Sequence, residues 1–258
     1  MTDSVKGYIY QKDVRLKIAA LNHSLTEIKK KRGFISGDME KFTPAALFAA
    51  IYATEQKDDD GSVYISFKFP QEKKAYTAIC ETDGRLRGYG EDFSPSGLLK
   101  NEILFVSGVR LALRGDYQSA VAAPDIPQAL AGFYADSRQT KAELLLFTAG
   151  EIQVLAIAEY LPGHDVNYRS GQKILTENEI RQKLRQAVLL CRETLQTDLA
   201  ASLPPDFEEM FSLDITFGCT CSKRKIKQAL LTSGEEIPEF PIVANCKLCG
   251  KEYIIQSL

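Results

Sequence analysis

Cys219-Thr220-Cys221, a spacer of residues 222–245, then Cys246-Lys247-Leu248-Cys249-Gly250-Lys251: these two thiol pairs near the carboxyl end decide how the chain is read. A tetrahedral ion is gripped by two short pairs from opposite sides, with an intervening segment that brings the chain back. Gly250 suits a tight knuckle, where a side chain would crowd a metal-bound sulfur. Residues 216–258 are too few to bury a sizeable core alone, so order there needs a metal or disulfides. Zinc in small sites supplies on the order of 10 kcal/mol of apparent folding free energy. The spacing predicts Cys219, Cys221, Cys246 and Cys249 as ligands of one Zn2+, and a tail folded with metal and largely unfolded without it.

Charge in this segment agrees. Lys223, Arg224, Lys225, Lys227, Lys247 and Lys251 oppose Glu235, Glu236, Glu239 and Glu252, so six cations less four anions leave +2 beside four thiolates and one Zn2+. The same field favours thiolate over thiol. Cys219 and Cys221 are two residues apart, which places their α-carbons within roughly 7 Å, near the upper edge of disulfide geometry. Cys246 and Cys249 are equally suited. Oxidation would convert each pair, Cys219 with Cys221 and Cys246 with Cys249, into a disulfide, release the ion and remove the free energy that ordered the tail.

Upstream, Thr176-x-x-Glu179 has the form of a capping box. Behind it Ile180, Leu184, Ala187, Val188, Cys191, Leu195 and Leu199 share one helical face, and Pro204-Pro205 ends the run. Residues 206–211 are expected to add a turn. This amphipathic helix would link the cysteine tail to everything before it.

The first 174 residues alternate between two periods. Val14, Leu16 and Ile18 interleave with Arg15 and Lys17, as in a half-buried strand with its cations in water. Residues 21–32 look helical, Gly33 and Gly37 break the chain, and Thr43-Pro44 opens a buried helix over 45–54. Val63, Ile65 and Phe67 mark another strand. Residues 75–82 and 85–89 form a hairpin through a tight two-residue turn at Asp83-Gly84. Weak alternation follows over 101–115, then a helix over 126–137 and strands over 143–149 and 152–161. The fold class is α+β: a mixed α/β core domain (1–174), a helical linker (175–215) and a small carboxyl-terminal zinc-binding domain (216–258).

Composition bounds the function. Of 258 residues, 45% are hydrophobic and 26% charged, which excludes general disorder. Lys plus Arg number 32 against 34 Asp plus Glu, a net charge of −2, so no chain-wide basic field exists to hold nucleic acid or an anionic membrane. Acidic residues interrupt every apolar stretch short of the roughly 18 residues a membrane span needs. The amino terminus lacks the apolar region of a secretory signal, which points to the cytoplasm. Paired cysteines in a reducing compartment read as metal or redox sites.

Catalytic signatures are missing. His23 and His164 are far apart in sequence, and neither His-Glu-x-x-His nor Gly-x-Ser-x-Gly occurs. Gly88-Tyr89-Gly90 lacks the third glycine of a nucleotide loop. Lys29-Lys30-Lys31-Arg32 reads as a solvated helix face, and Cys80 and Cys191 as small buried hydrophobes.

Phe217-Gly218-Cys219-Thr220-Cys221-Ser222-Lys223, Gln228-Ala229-Leu230, Gly234-Glu235-Glu236-Ile237 and Cys246-Lys247-Leu248-Cys249-Gly250-Lys251-Glu252-Tyr253 resemble the carboxyl end of the redox-regulated heat shock protein 33 chaperones. Gly84-Arg85-Leu86-Arg87-Gly88-Tyr89, Tyr134-Ala135-Asp136-Ser137-Arg138-Gln139-Thr140 and Leu161-Pro162-Gly163 add to the likeness. The chain departs from the family pattern in a shorter spacer between thiol pairs, in Arg138 where glutamate is usual and in Glu159 where glutamine is typical. The resemblance implies an ATP-independent holdase rather than an enzyme. It would be inactive when reduced and zinc-bound, active for unfolding client proteins once oxidation releases zinc, and able to form a homodimer on activation. On that reading Ile180, Leu184, Val188 and Leu195 offer a client-binding stripe. Two alternatives stand beside it: a zinc-ribbon module that binds nucleic acid or protein through Lys223-Arg224-Lys225, and a thiol oxidoreductase built on Cys246-Lys247-Leu248-Cys249.

Overall fold

The computed structural model describes residues 3–10, 14–56, 61–94, 102–111, 115–161, 178–179, 182, 207–232 and 239–257. The chain opens with β1 (Ser4–Tyr10), β2 (Val14–Leu21), α1 (His23–Arg32) and α2 (Ser36–Ala53). Then come β3 (Ser62–Phe69), β4 (Lys74–Glu81), β5 (Arg85–Asp92), β6 (Ile103–Leu111) and β7 (Gly115–Ala123). Helix α3 (Ile126–Arg138) precedes β8 (Lys141–Ala149) and β9 (Ile152–Tyr160). The last described elements are β10 (Phe207–Asp214), β11 (Thr216–Phe217), α4 (Lys223–Thr232), β12 (Ile242–Asn245) and β13 (Glu252–Ile255).

Two sheets enclose a helix. The first has the order β10-β1-β2-β9-β8, the second β11-β5-β4-β3-β6-β7. Helix α2 runs between them, touching β2 and β9 on one side and β3, β4 and β5 on the other. Every residue from Phe42 to Ala53 is buried, so no amphipathic period survives in the sequence there. The helix begins at Ser36, well before Pro44: the Asp38 carboxylate accepts the Ile35 amide at 3.0 Å and fixes the start. Gly37 lies inside its first turn and only Gly33, at φ 66°, ends a helix. Pro44 sits in the interior, where it has no amide to offer the Glu40 carbonyl, at an exposed residue that water can serve.

The first sheet is apolar on both faces. Val5, Ala19, Leu21, Leu155 and Ile157 join the core around α2, while Tyr8, Tyr10, Val14, Leu16, Ile18, Val154, Ala156, Ala158 and Tyr160 form a second buried cluster on the opposite face. Helices α2 and α3 meet this sheet through the first cluster, and no described helix packs on the second. The expected half-buried β2 is therefore corrected: Lys17 is 2% exposed. Its ammonium pairs with Glu55 and lies 3.3 Å from Glu159, Arg138 pairs with Glu55, and Thr140 donates to Glu159 at 3.2 Å. A buried cation without such partners would cost several kcal/mol. Arg138 and Glu159, the two departures from the family pattern in the core, thus meet in one network.

Two further local readings change. The β4–β5 connection has three residues, Thr82 to Gly84, because Glu81 and Gly84 close a turn (Gly84 amide to Glu81 carbonyl, 3.0 Å) and Gly84 alone takes positive φ, 86°. The expected turn at 206–211 is replaced by strand β10, antiparallel to β1. Phe211 lies directly over Gly7, where a Cβ would fall 2.2 Å from its ring. Of the helix expected after Thr176, residues 178, 179 and 182 are described and helical; Ile180, Leu184, Ala187, Val188, Cys191, Leu195 and Leu199 lie outside the described residues.

Candidate metal centre

Strand β11 delivers the first thiol pair. Thr216 and Phe217 pair in parallel with Arg85 and Leu86 of β5, and Cys219 and Cys221 follow at once. Ser222 then starts α4, its hydroxyl accepting the Lys225 amide at 3.2 Å and its carbonyl the Ile226 amide at 3.0 Å. The second pair sits where β12 turns into β13. The Cys246 amide donates to the Lys251 carbonyl and the Gly250 amide to the Cys246 carbonyl, both at 2.8 Å. Gly250 has φ 73°, which demands glycine on backbone grounds. A Cβ there would approach the Lys31 carbonyl at 3.1 Å, so the crowding comes from the core rather than from a sulfur.

All four sulfurs lie within 4.8 Å of one another. Cys219 and Cys246 are 3.7 Å apart and Cys221 and Cys249 3.5 Å. Tetrahedral zinc with Zn–S bonds near 2.3 Å requires sulfur–sulfur edges of about 3.8 Å. The donor set and its spacing fit a metal ion held by Cys219, Cys221, Cys246 and Cys249. The Tyr253 hydroxyl lies 3.0 Å from the Cys221 sulfur and 3.1 Å from the Cys221 carbonyl, orienting this ligand from outside the tetrahedron.

Electrostatics differ around the ring of thiols. Burial raises the Cys219 and Cys249 thiols. At Cys221 burial pushes the same way, but hydrogen bonds from Tyr253 and the neighbouring thiols outweigh it and bring the thiol down to about 7. That bond to Cys221, joined by burial, pushes the Tyr253 phenol up to about 12. The amino end of α4, with Lys223, Arg224 and Lys225, begins two residues after Cys221, so helix dipole and side chains place positive potential beside the sulfurs. That placement accounts for these cations without nucleic acid.

The module docks on the core near both pairs. The Lys247 ammonium pairs with Glu91 and lies 4.4 Å from the centre of the Tyr89 ring. Other candidate residues stay apart from the sulfurs. Cys80 is buried and its thiol is raised by desolvation, which makes it inert. His23 is exposed, and its backbone amide donates to Asp3. His164 lies outside the described residues. Lys29, Lys30, Lys31 and Arg32 occupy the last turn of α1, where cations complement the helix dipole. The Cys246–Cys249 pair sits in a β-turn, not at a helix start as a redox catalyst would have it.

Asp3 is what sequence reasoning missed. Its buried carboxylate accepts the amides of Asn22 (2.8 Å), His23 (3.0 Å) and Ser24 (2.6 Å), and its carbonyl accepts the Ile215 amide at 2.8 Å. One residue, just ahead of β1, thus caps α1 and fixes the crossover from β10 to β11 that aims the first thiol pair.

The family described as Hsp33 protein matches residues 3–256. The crystal structure of the 33 kDa chaperonin (heat shock protein 33 homolog) from Thermotoga maritima superposes with a TM-score of 0.71 at 14% identity, covering 99% of this chain and 94% of that one. At that identity the likeness concerns the fold. No curated protein matches the sequence. Among the described residues, no helix is long and apolar enough to cross a membrane.

Proposed function

The chain belongs to the Hsp33 family, a family of chaperones rather than enzymes, and from that premise we propose that it is a redox-regulated, ATP-independent holdase of the cytoplasm. The observation that carries this reading is the second apolar cluster, buried on a sheet face that no described helix covers. Strand β9 ends on this sheet at Tyr160 and β10 begins on it at Phe207, three strands away, or about 14 Å. The inner face between them is taken by α2. The apolar stripe expected from the sequence at Ile180, Leu184, Val188 and Leu195 has the same chemistry as that outer face, so both are suited to unfolding proteins. We assign residues 1–174 to the core, 175–215 to the linker, with β10 as its anchored end, and 216–258 to the zinc module.

Zinc is the ion that four thiolates select in a closed tetrahedral site. When bound, it supplies the cohesion of a module that buries little core. Oxidation by a peroxide removes two electrons from Cys219 and Cys221, and two from Cys246 and Cys249. Each pair gains an S–S bond, and each peroxide, taking up two protons, breaks its O–O bond to give two waters. Neighbours in sequence stay within reach as the module loosens, whereas Cys219–Cys246 and Cys221–Cys249 meet only while it is folded. Loss of the module frees the linker, and its stripe and the outer sheet face then bind unfolding proteins or a second copy of the chain.

Purified protein is expected to carry one zinc per chain, to lose it under peroxide with mild warming, and then to suppress aggregation of an unfolding client. Zinc that stays bound, with no suppression, would defeat the proposal.

A further inference from the structure

The four-cysteine module grips β5 at both ends. At its start, the Thr216 amide donates to the Gly84 carbonyl and the Gly218 amide to the Leu86 carbonyl, each at 3.0 Å. Near its end Lys247 engages Glu91 and Tyr89. Both grips come from neighbours of the thiols: Gly218 precedes Cys219 and Lys247 follows Cys246. Between them the strand has no ladder partner on this side among the described residues, since the pairing with β11 covers only Arg85 and Leu86.

The direction of the unpaired groups follows from those that are paired. The carbonyls of Gly84 and Leu86 face β11, and the amide of Phe93 turns the other way, to the Lys73 carbonyl at 2.7 Å. The register of β5 with β4 is unbroken from Lys74–Asp92 to Cys80–Leu86. Because a strand alternates its backbone groups every two residues, Gly88, Gly90 and Asp92 aim their N–H and C=O groups away from β4. Two of the three are glycines, and the space a side chain would take there is filled by the rings of Phe42, Tyr76 and Phe34. Arg87, buried beside them, bonds Glu81 through one nitrogen and keeps Nε and Nη1 without an acceptor.

We infer that β5, from Arg85 to Asp92, is a second client-binding element: an edge strand covered by the docked module and uncovered with its release, which then takes an extended segment of an unfolding protein as an added strand. The inference rests on the holdase reading. An open edge recognises backbone rather than sequence, and backbone is what unfolding chains of any sequence share. Arg85, Arg87, Glu91 and Asp92 give the strand both charge signs, so neither acidic nor basic segments are favoured. Strand β11 already shows that the edge accepts an added strand in register, and the client segment replaces and lengthens it.

The test is amide-resolved hydrogen exchange by NMR on the peroxide-activated full chain, with and without reduced, carboxymethylated lactalbumin as a permanently unfolded probe. Bound probe is expected to slow the amides of Gly88, Gly90 and Asp92 about tenfold, the scale of one added hydrogen bond. The amides of Arg87, Tyr89 and Glu91, which face β4, should not change. The variant Asp92→Pro, which deletes one outward donor at an exposed edge position, should bind the probe several-fold more weakly while zinc release is unaltered. Bound probe with all six amides unchanged would overturn the inference and leave the holdase reading intact. Slowing that tracks protein concentration without probe would assign the edge to a second copy, and overturn it too. Zinc release with no probe bound at all would sink the holdase reading and this inference together.

Discussion

Cys221 and Tyr253 show how much one contact contributes to a metal site. The Tyr253 hydroxyl lies 3.0 Å from the sulfur, and partners of this kind typically raise metal affinity 10-fold to 100-fold. Tyr253→Phe should therefore lower zinc affinity by about tenfold in a chelator competition while the core is unperturbed, and the zinc content of Tyr253→Phe equal to wild type under competition would refute the role. The four cysteines were legible because ligand spacing is a local property. Tyr253 is legible as part of the tail's resemblance but not as a partner of Cys221, since its aim depends on the β12–β13 register. Asp3 was invisible for a stronger reason. It caps α1 from the segment just ahead of β1, and nothing near Asn22 in sequence announces a carboxylate. Asp3→Ala should cost about 1–2 kcal/mol in chemical denaturation, the scale of a lost helix cap.

At the scale of elements, the period-two and capping patterns located most strands and helices, and the failures share a cause. Burial on all sides erases the period of α2 and hides its start eight residues before Pro44, because a patterned face exists only where one side meets water. Strand β10 reads as E-rich and turn-like, yet Phe207, Phe211 and Leu213 lean on the sheet and its other residues face outward. Lys17 looks like the wet side of β2, but β9 and the turn after α2 bring Glu159 and Glu55 to it, and Arg138 of α3 pairs with Glu55 in turn. Burial opposes ionisation of Glu159, but Lys17 and Arg15, with Arg138 beyond, hold its carboxyl below the usual range. A folded pKa below the unfolded one stabilises the fold above the unfolded value, and the contribution fades as pH falls through the folded value. Glu159→Gln should therefore melt below wild type near pH 7, with the gap narrowing as pH falls from about 5 towards 3. A gap constant across that range would show that the network owes its stability to packing instead of charge.

The whole molecule combines two kinds of stability. The core around α2 buries aromatic and aliphatic side chains from both sheets and needs no ion, and such cores hold about 5–15 kcal/mol. The cysteine module buries few side chains, Cys246, Cys249 and Ile255 among them, and α4 has none. On the proposed reading its order comes chiefly from the metal, worth on the order of 10 kcal/mol. Chelation removes that contribution from one end of the chain and leaves the other intact. Stripping zinc under reducing conditions should abolish exchange protection over residues 216–257, including the Thr216 and Gly218 amides that hold β5. Protection in β3, β4 and α2 should persist, and the melting of the core should shift by no more than a few degrees. Chelation and oxidation test the proposed linker (175–215) differently. If metal loss alone frees it, the chelated protein suppresses client aggregation as the oxidised protein does. If the disulfides are needed to keep the module from refolding, suppression appears only after peroxide. Unchanged protection in the stripped module would mean that packing, not sulfur and metal, orders the carboxyl end, and a redox signal would then have nothing to release.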